Sequence, residues 1–219
     1  MKLAVFGGTF NPVHIGHLAM ADDVCSTLGY DKILFVPAAV PPHKIARDME
    51  TAENRIAMLK SAFKNDERFE VETCEIDRGG TSYTIDTVKF IIAKYGNQLE
   101  GKPGLLMGQD NAREFYKWKN AAEIASLTDL IVADRIKTDG LNTSGHDNIN
   151  LGSYTGGFEK TDTDDEVPEF NFTKLKNQIL PLSSTEIRTR IAENNGWRYL
   201  VSDGVFEYIV NNKLYGFKN

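Results

Sequence analysis

Cysteine is scarce in this chain. Two residues in 219, Cys25 and Cys74, stand apart with no paired spacing. That excludes a disulfide framework and favours a reducing compartment. Long apolar runs are missing as well. Ile33–Val36 and Val205–Val210 fall far short of the ~20 residues that cross a bilayer. The opening MKLAVFGG does not have the make-up of a signal peptide. The expectation is therefore a cytoplasmic protein with no membrane role. An excess of basic residues is also lacking. The net charge is −6, which argues against nucleic acid as partner. An acidic chain can still hold a small anion if its cations converge in one cleft. What is present is ordinary globular composition, with 41% hydrophobic and 26% charged residues. A chain of this length buries roughly 70% of its unfolded surface, so it needs neither disulfide nor metal to fold.

Strand and helix signals alternate from the start. Strands are expected at Lys2–Phe6, Lys32–Val36, Phe69–Ile76, Gly104–Met107 and Asp129–Ala133, with a last one at Lys174–Leu180. Between them, Leu18, Ala21, Val24 and Leu28 recur at helical spacing before Gly29, a natural C-cap. Thr51 caps a helix with Ile56, Leu59 and Phe63 on one face. Ile85, Val88, Ile92 and Tyr95 mark a helix over 85–95, and Asn120–Leu127, Ser183–Asn194 and Gly204–Asn212 read as further helices. Strands at this spacing with helices between them imply parallel crossovers, so the expected fold is a doubly wound α/β sheet in one domain spanning 1–219. The segment from about 135 to 172 breaks the pattern: it is polar and acidic and reads as a loop insertion. In such sheets ligands bind beyond the C-terminal strand ends. Gly7–His17, Pro37–Lys44 and Gly108–Asp110 should then share one cleft.

The first of these loops reads GGTFNPVHIGH, residues 7–17, between a strand and a helix. Gly7 and Gly8 let the backbone approach a ligand closely. The helix starting near Gly16 offers free N–H groups and a positive dipole end to an anion. His14 and His17 lie three apart at that end, and both can donate to phosphate oxygens. A zinc site would need further ligands at useful spacing, which are lacking. Neither a Walker loop nor a dinucleotide Gly-x-Gly-x-x-Gly fingerprint occurs. A second anion site is legible in LSSTEIR, residues 182–188. Ser183-x-x-Glu186 fits a capping box, which puts Ser184 and Thr185 in a first helical turn. Their amides and hydroxyls face outward to an anion, and Arg188 adds a permanent charge.

The first string resembles the His-x-Gly-His signature of the nucleotidyltransferase superfamily. Residues 14–17 spell His-Ile-Gly-His, as in class I aminoacyl-tRNA synthetases, but the Lys-Met-Ser-Lys-Ser loop of those longer enzymes is absent. LSSTEIR resembles the Ile-Ser-Ser-Thr-x-Ile-Arg motif of bacterial adenylyl- and cytidylyltransferases, with Leu182 in place of isoleucine. Four further segments occur in order: PPHK (41–44), GGTSYTIDT (79–87, with Thr84 as helix N-cap), GQDNAREFYKW (108–118) and YLVSDGVFEYIVNNKLYG (199–216). Together they resemble the bacterial nicotinate-nucleotide adenylyltransferases over nearly the whole chain except 135–172. Asn11 stands where many members have aspartate.

That resemblance implies a Rossmann-like nucleotidyltransferase fold and adenylyl transfer from ATP to nicotinate mononucleotide, with pyrophosphate leaving. It implies catalytic roles for His14, His17 and Arg188. Gly7, Gly8, Thr9, Phe10, Ser184 and Thr185 would bind ATP. Lys44, Thr84, Asp110 and Trp118 would bind nicotinate mononucleotide, with Trp118 stacked on the pyridine ring. Mg²⁺ would accompany ATP, without a dedicated protein metal site. Trp197 reads as packing. Pantetheine-phosphate adenylyltransferase is the alternative within enzymes, although it is usually shorter and lacks the SYTIDT and Trp118 segments. A non-catalytic nucleotide sensor is the alternative outside them. Homo-oligomerisation stays open.

Overall fold

The computed structural model describes residues 1–40, 49–133, 169–177 and 180–218. Six parallel strands form one sheet in the order β3-β2-β1-β4-β5-β6. They are β1 (Leu3–Gly8), β2 (Lys32–Pro37), β3 (Phe69–Val71), β4 (Gly104–Gly108), β5 (Asp129–Ala133) and β6 (Phe172–Leu175). The order reverses between β1 and β4, which opens a crevice at their C-terminal ends. The loops after those two strands carry GGTFNPVHIGH and GQD. This is the doubly wound α/β architecture that the strand–helix alternation predicts.

Both faces of the sheet are covered because the central strands are apolar at every position. In β1, Ala4 and Phe6 point to one face, and Leu3 and Val5 to the other. The first face is covered by α1 (Ile15–Leu28), α2 (Ala52–Ala62), α7 (Ser184–Ala192) and α8 (Asp203–Asn211). The second is covered by α4 (Thr84–Tyr95) and α6 (Ala121–Leu127), with Ile85, Val88, Ile91, Phe115 and Ile124 in its core. The short helices α3 (Cys74–Arg78) and α5 (Gln109–Arg113) follow β3 and β4. Gly29 closes α1 in the left-handed conformation (φ 69°) expected of a C-cap, and the Thr51 side chain caps α2 by accepting from Asn54 N. No helix among the described residues is long and apolar enough to cross a membrane.

The elements depart from expectation in four places. The strand expected over 69–76 stops at Val71. Glu72 turns inward and accepts from Cys74 N at 3.1 Å, and α3 begins there. The last strand is Phe172–Leu175 rather than 174–180, because Phe172 pairs with Leu130 and Leu175 with Ala133. Phe170 and Phe172 pack on Phe115, with centroids at 4.9 and 5.9 Å, so the end of the polar segment belongs to the core. Residues 134–168 of the expected insertion lie outside the described residues, as does the PPHK segment with His43 and Lys44. The buried face of α2 is Arg55, Met58 and Leu59, with Ile56 only half-buried. Finally, Tyr83 is the N-cap of α4 and Thr84 is its first helical residue.

Candidate active site

The loop after β1 is built around an inward-facing phenylalanine. Phe10 adopts a left-handed backbone (φ 49°), and its ring is 1% exposed. It packs against Phe6, Phe35 and His17 at 5.5, 5.5 and 5.2 Å. A Cβ on Gly8 would meet that ring at 2.9 Å, which is why glycine stands there, whereas one on Gly7 would meet nothing within 4 Å. Phe10 was expected to contact ATP. Its side chain serves the core, so only its backbone is placed to face a ligand. The Asn11–Pro12 peptide bond is cis.

At the end of the loop, His14 is the N-cap of α1, with extended backbone (φ −141°). Its backbone N–H donates to His17 Nδ1 at 3.2 Å. That bond takes the Nδ1 lone pair, so the proton of a neutral His17 sits on Nε2. The two imidazoles lie 3.7 Å apart and 32° from parallel; His14 is buried and His17 half-buried. A Cβ on Gly16 would come within 3.1 Å of His14 Cε1 and Nδ1. The spacing His-x-Gly-His is thus a packing requirement: the first imidazole lies over the bare glycine and beside the second imidazole.

The two sequence motifs, more than 160 residues apart, touch. Ser184 Oγ donates to the Pro12 carbonyl at 2.9 Å. Arg188 Nη1 donates to the Asn11 carbonyl at 2.9 Å, and Nη2 reaches Thr185 Oγ1 at 3.4 Å. Ile187 and Ile191 seat α7 in the core, as the stripe in the sequence predicts. Ser183 Oγ accepts from Glu186 N at 3.1 Å. The other half of the expected capping box is not made, because the Glu186 carboxylate pairs with Arg190 at 2.9 Å. Ser184 was expected to offer its hydroxyl proton to an anion; that proton goes to Pro12. The backbone N–H groups of Ser184 and Thr185 lie in the first helical turn, where no intrahelical acceptor exists.

Two residues that the sequence reading missed, Arg55 and Tyr215, tie this loop down. Arg55, 1% exposed, donates from Nη1 to the Thr9 carbonyl at 3.0 Å and from Nε to the Glu50 carbonyl at 3.2 Å. Burial lowers its pKa from the ordinary arginine value. Asn11 is buried, and its Oδ1 accepts from Glu50 N at 3.2 Å and from the Tyr215 hydroxyl at 2.9 Å. Arg55 had a visible signal: an arginine in register with Met58 and Leu59 on an otherwise apolar face. Tyr215 had none.

Three segments expected to serve the pyridine lie side by side. Trp118 packs on Phe115 at 5.3 Å and is half-buried against the second core face. Lys119 Nζ lies 4.3 Å from the centre of the Tyr83 ring, so the Trp118 turn meets the start of α4 beside half-buried Thr84. Ala39 N donates to Ser82 Oγ at 2.9 Å and Ser82 N to the Val40 carbonyl at 3.0 Å. The strand end leading toward Lys44 is thereby fixed next to the same segment. Asp110 is exposed in the first turn of α5, after β4. Trp197, by contrast, is buried against Phe206 at 4.8 Å, as expected of a packing residue. Burial pushes the thiols of Cys25 and Cys74 up to about 11 and about 12, which makes both poor nucleophiles at neutral pH.

Comparison with known proteins places this geometry. The profile of the cytidylyltransferase-like family matches residues 5–190. A Treponema pallidum protein named probable nicotinate-nucleotide adenylyltransferase is 41% identical over 215 residues, covering 98% of this chain and 99% of the relative. A Borreliella afzelii protein of the same name is 38% identical, covering 98% and 97%. The structure of Plasmodium falciparum nicotinic acid mononucleotide adenylyltransferase complexed with NaAD shares the fold, with a TM-score of 0.68 at 16% identity over 99% of this chain and 98% of that one. The two bolted motifs and this likeness over nearly the full length lead to one assignment: the chain belongs to the nicotinate-nucleotide adenylyltransferase family.

Proposed function

We propose that this protein transfers the adenylyl group of ATP to nicotinate mononucleotide, giving nicotinate adenine dinucleotide and pyrophosphate in NAD biosynthesis. One observation carries the reading. The N-terminus of α7 is fastened to the GGTFNPVHIGH loop through Ser184–Pro12 and Arg188–Asn11, which brings together the two segments suited to anions and with them His14, His17 and Arg188. The family membership supports the same conclusion and favours nicotinate mononucleotide over phosphopantetheine.

The nucleophile is the phosphate of the mononucleotide. Its second pKa is about 6, so at neutral pH it is already mostly dianionic and needs no general base. The two buried, high-pKa thiols are poor nucleophiles, and on this reading the dianionic phosphate attacks the α-phosphorus of ATP directly, with pyrophosphate leaving in line. The protein then has two tasks: to bring two anions together, and to stabilise charge that builds on the leaving pyrophosphate. On this reading His17 donates from Nε2 to the triphosphate, since its Nδ1 is already engaged. His14 lies beside it, and Gly7, Gly8 and Thr9 supply backbone against the phosphates. Arg188 and the amides of Ser184 and Thr185 take the outer phosphates. By the family resemblance Lys44 would serve the phosphates of the nucleotides, Asp110 a ribose or the metal, and Thr84 and Trp118 the pyridine.

Mg²⁺ enters with ATP. Among the described residues no group of three or more histidines, cysteines and carboxylates could cage an ion. Mg²⁺ would be carried mainly by the substrate phosphates, and Asp110 is the carboxylate that the family resemblance offers to it or to a ribose. When bound, it neutralises triphosphate charge. Both substrates are small soluble metabolites, and we place the reaction in the cytoplasm.

The test is pyrophosphate release from ATP and Mg²⁺, offered separately nicotinate mononucleotide, its amide and phosphopantetheine. Nicotinate mononucleotide should be used with a kcat/KM at least about tenfold above the amide, or about 1.4 kcal/mol. Preference for phosphopantetheine, or binding of ATP with no turnover of any acceptor, would replace this reading by one of its alternatives.

A further inference from the structure

The C-terminal run enters the site from outside both motifs. Beyond α8 the chain turns through Lys213 (φ 52°), Tyr215 (φ 57°) and Gly216 (φ 74°), three left-handed residues in four positions. Residues with a Cβ are uncommon in that region, and a bulky side chain there is rarer still. Such backbone persists where the surroundings over-determine it. Here the surroundings are Leu214, buried in the first core face, and the Tyr215 ring, packed against the same face. The turn delivers the Tyr215 hydroxyl 2.9 Å from Asn11 Oδ1 and 3.8 Å from Met58 Sδ.

That hydroxyl is a permanent donor. Burial pushes the phenol well above its ordinary range, reinforced by Glu50 and opposed by Arg188 and Arg55. Asn11 Oδ1 receives a second donor, Glu50 N, at 3.2 Å. Two donors converging on one oxygen define which way the amide faces. The backbone of the same residue then holds the catalytic machinery, because Arg188 Nη1 binds the Asn11 carbonyl at 2.9 Å. Arg55 fixes the nearby Thr9 carbonyl at 3.0 Å, so the loop is pinned at residues 9 and 11.

We infer that Tyr215 is a positioning residue for adenylyl transfer: acting through Asn11, it sets the orientation of Arg188 and of the loop that faces the triphosphate. It touches neither nucleotide. A guanidinium that must meet developing charge on the leaving pyrophosphate loses most of its value when displaced by a fraction of an ångström. Tyr215, 204 residues along the chain from Asn11, is therefore part of the catalytic apparatus. This inference rests on the proposed function for its activity readout.

The test is a double-mutant cycle on the full chain, with Tyr215→Phe, Arg188→Ala and the double variant. Phenylalanine keeps the ring and removes one hydroxyl. Tyr215→Phe should lower kcat about five- to tenfold while both KM values stay within about twofold. In the Arg188→Ala background the same change should cost less than about twofold, because residues acting as a unit are not additive. A kcat within about twofold of the parent, or an equal loss in both backgrounds, overturns the inference. If Tyr215→Phe does not fold, Tyr215→Met, which refills the space without a hydroxyl, repeats the cycle. If the parent chain forms no dinucleotide, the functional reading fails by itself. Positioning is then read by NMR from the Arg188 Nε–H resonance and amide exchange at Glu50. Tyr215→Phe shifts both if the network stands, and leaving both unmoved refutes it.

Discussion

Replacing Gly16 by alanine should separate activity from stability. The new Cβ would lie 3.1 Å from His14 Cε1 and Nδ1. Carbon contacts are most favourable at about 3.5–4.0 Å, so the ring must shift by about 0.4 Å. It has few directions to go: His14 is 3% exposed, and His17 lies 3.7 Å away on its other side. A misplacement of about 1 Å can cost on the order of 10²-fold, so a shift of roughly 0.4 Å scales to a five- to tenfold loss in kcat, about 1–1.4 kcal/mol. Stability moves little. Alanine gains up to about 0.5–1 kcal/mol over glycine in a helix, and the strained contact offsets a gain of that size. At about 2–4 °C per kcal/mol for a chain of this length, Tm should stay within about 4 °C of the parent. Steady-state pyrophosphate release and thermal unfolding measure the two quantities on one sample. A variant with parental kcat would show that the His14 ring is free to move or idle. A fall in Tm of about 10 °C together with lost activity would show that the glycine serves packing alone.

Two further substitutions probe the other halves of the site. His17→Ala removes the Nε2 donor and the acceptor for His14 N. Loss of the donor should lower kcat by on the order of 10²–10³, and loss of the cap should cost about 0.5–2 kcal/mol of stability. A folded variant with normal kcat would remove His17 from the phosphates. Trp118→Ala should weaken nicotinate mononucleotide by roughly 1–2 kcal/mol, since indole is a good face for an electron-poor ring, and leave ATP affinity unchanged. Nicotinate mononucleotide should quench fluorescence in the parent and in Trp197→Phe but not in Trp118→Phe; quenching that survives without Trp118 would place the pyridine elsewhere.

Local signals carried much of this protein in plain view. Alternating apolar runs determine the strands, because a parallel strand covered on both faces must be apolar at successive positions. Caps and breakers determine the helix ends at Gly29, Thr51 and Ser183, because unsatisfied backbone groups there need a left-handed residue or a side-chain acceptor. GGTFNPVHIGH and LSSTEIR were recognisable as strings, because close backbone approach and packed imidazoles demand those residues at that spacing. Other features waited for the tertiary structure. Phe10 sits inside a loop motif, yet a positive φ turns its ring into the core. Glu72 lies within an alternating, strand-like segment, yet it folds inward and ends β3. Phe170 and Phe172 close a polar segment, yet the register with β5 draws them onto Phe115. Above all, nothing local joins Tyr215 to Asn11, Arg55 to Thr9, or Arg188 to the Asn11 carbonyl. Those pairs meet only because the fold places the first loop beside α2, α7 and the turn after α8. A hydrogen bond between residues far apart leaves no periodicity in either segment, so the sequence named the segments suited to phosphate and the fold decided what holds them in place.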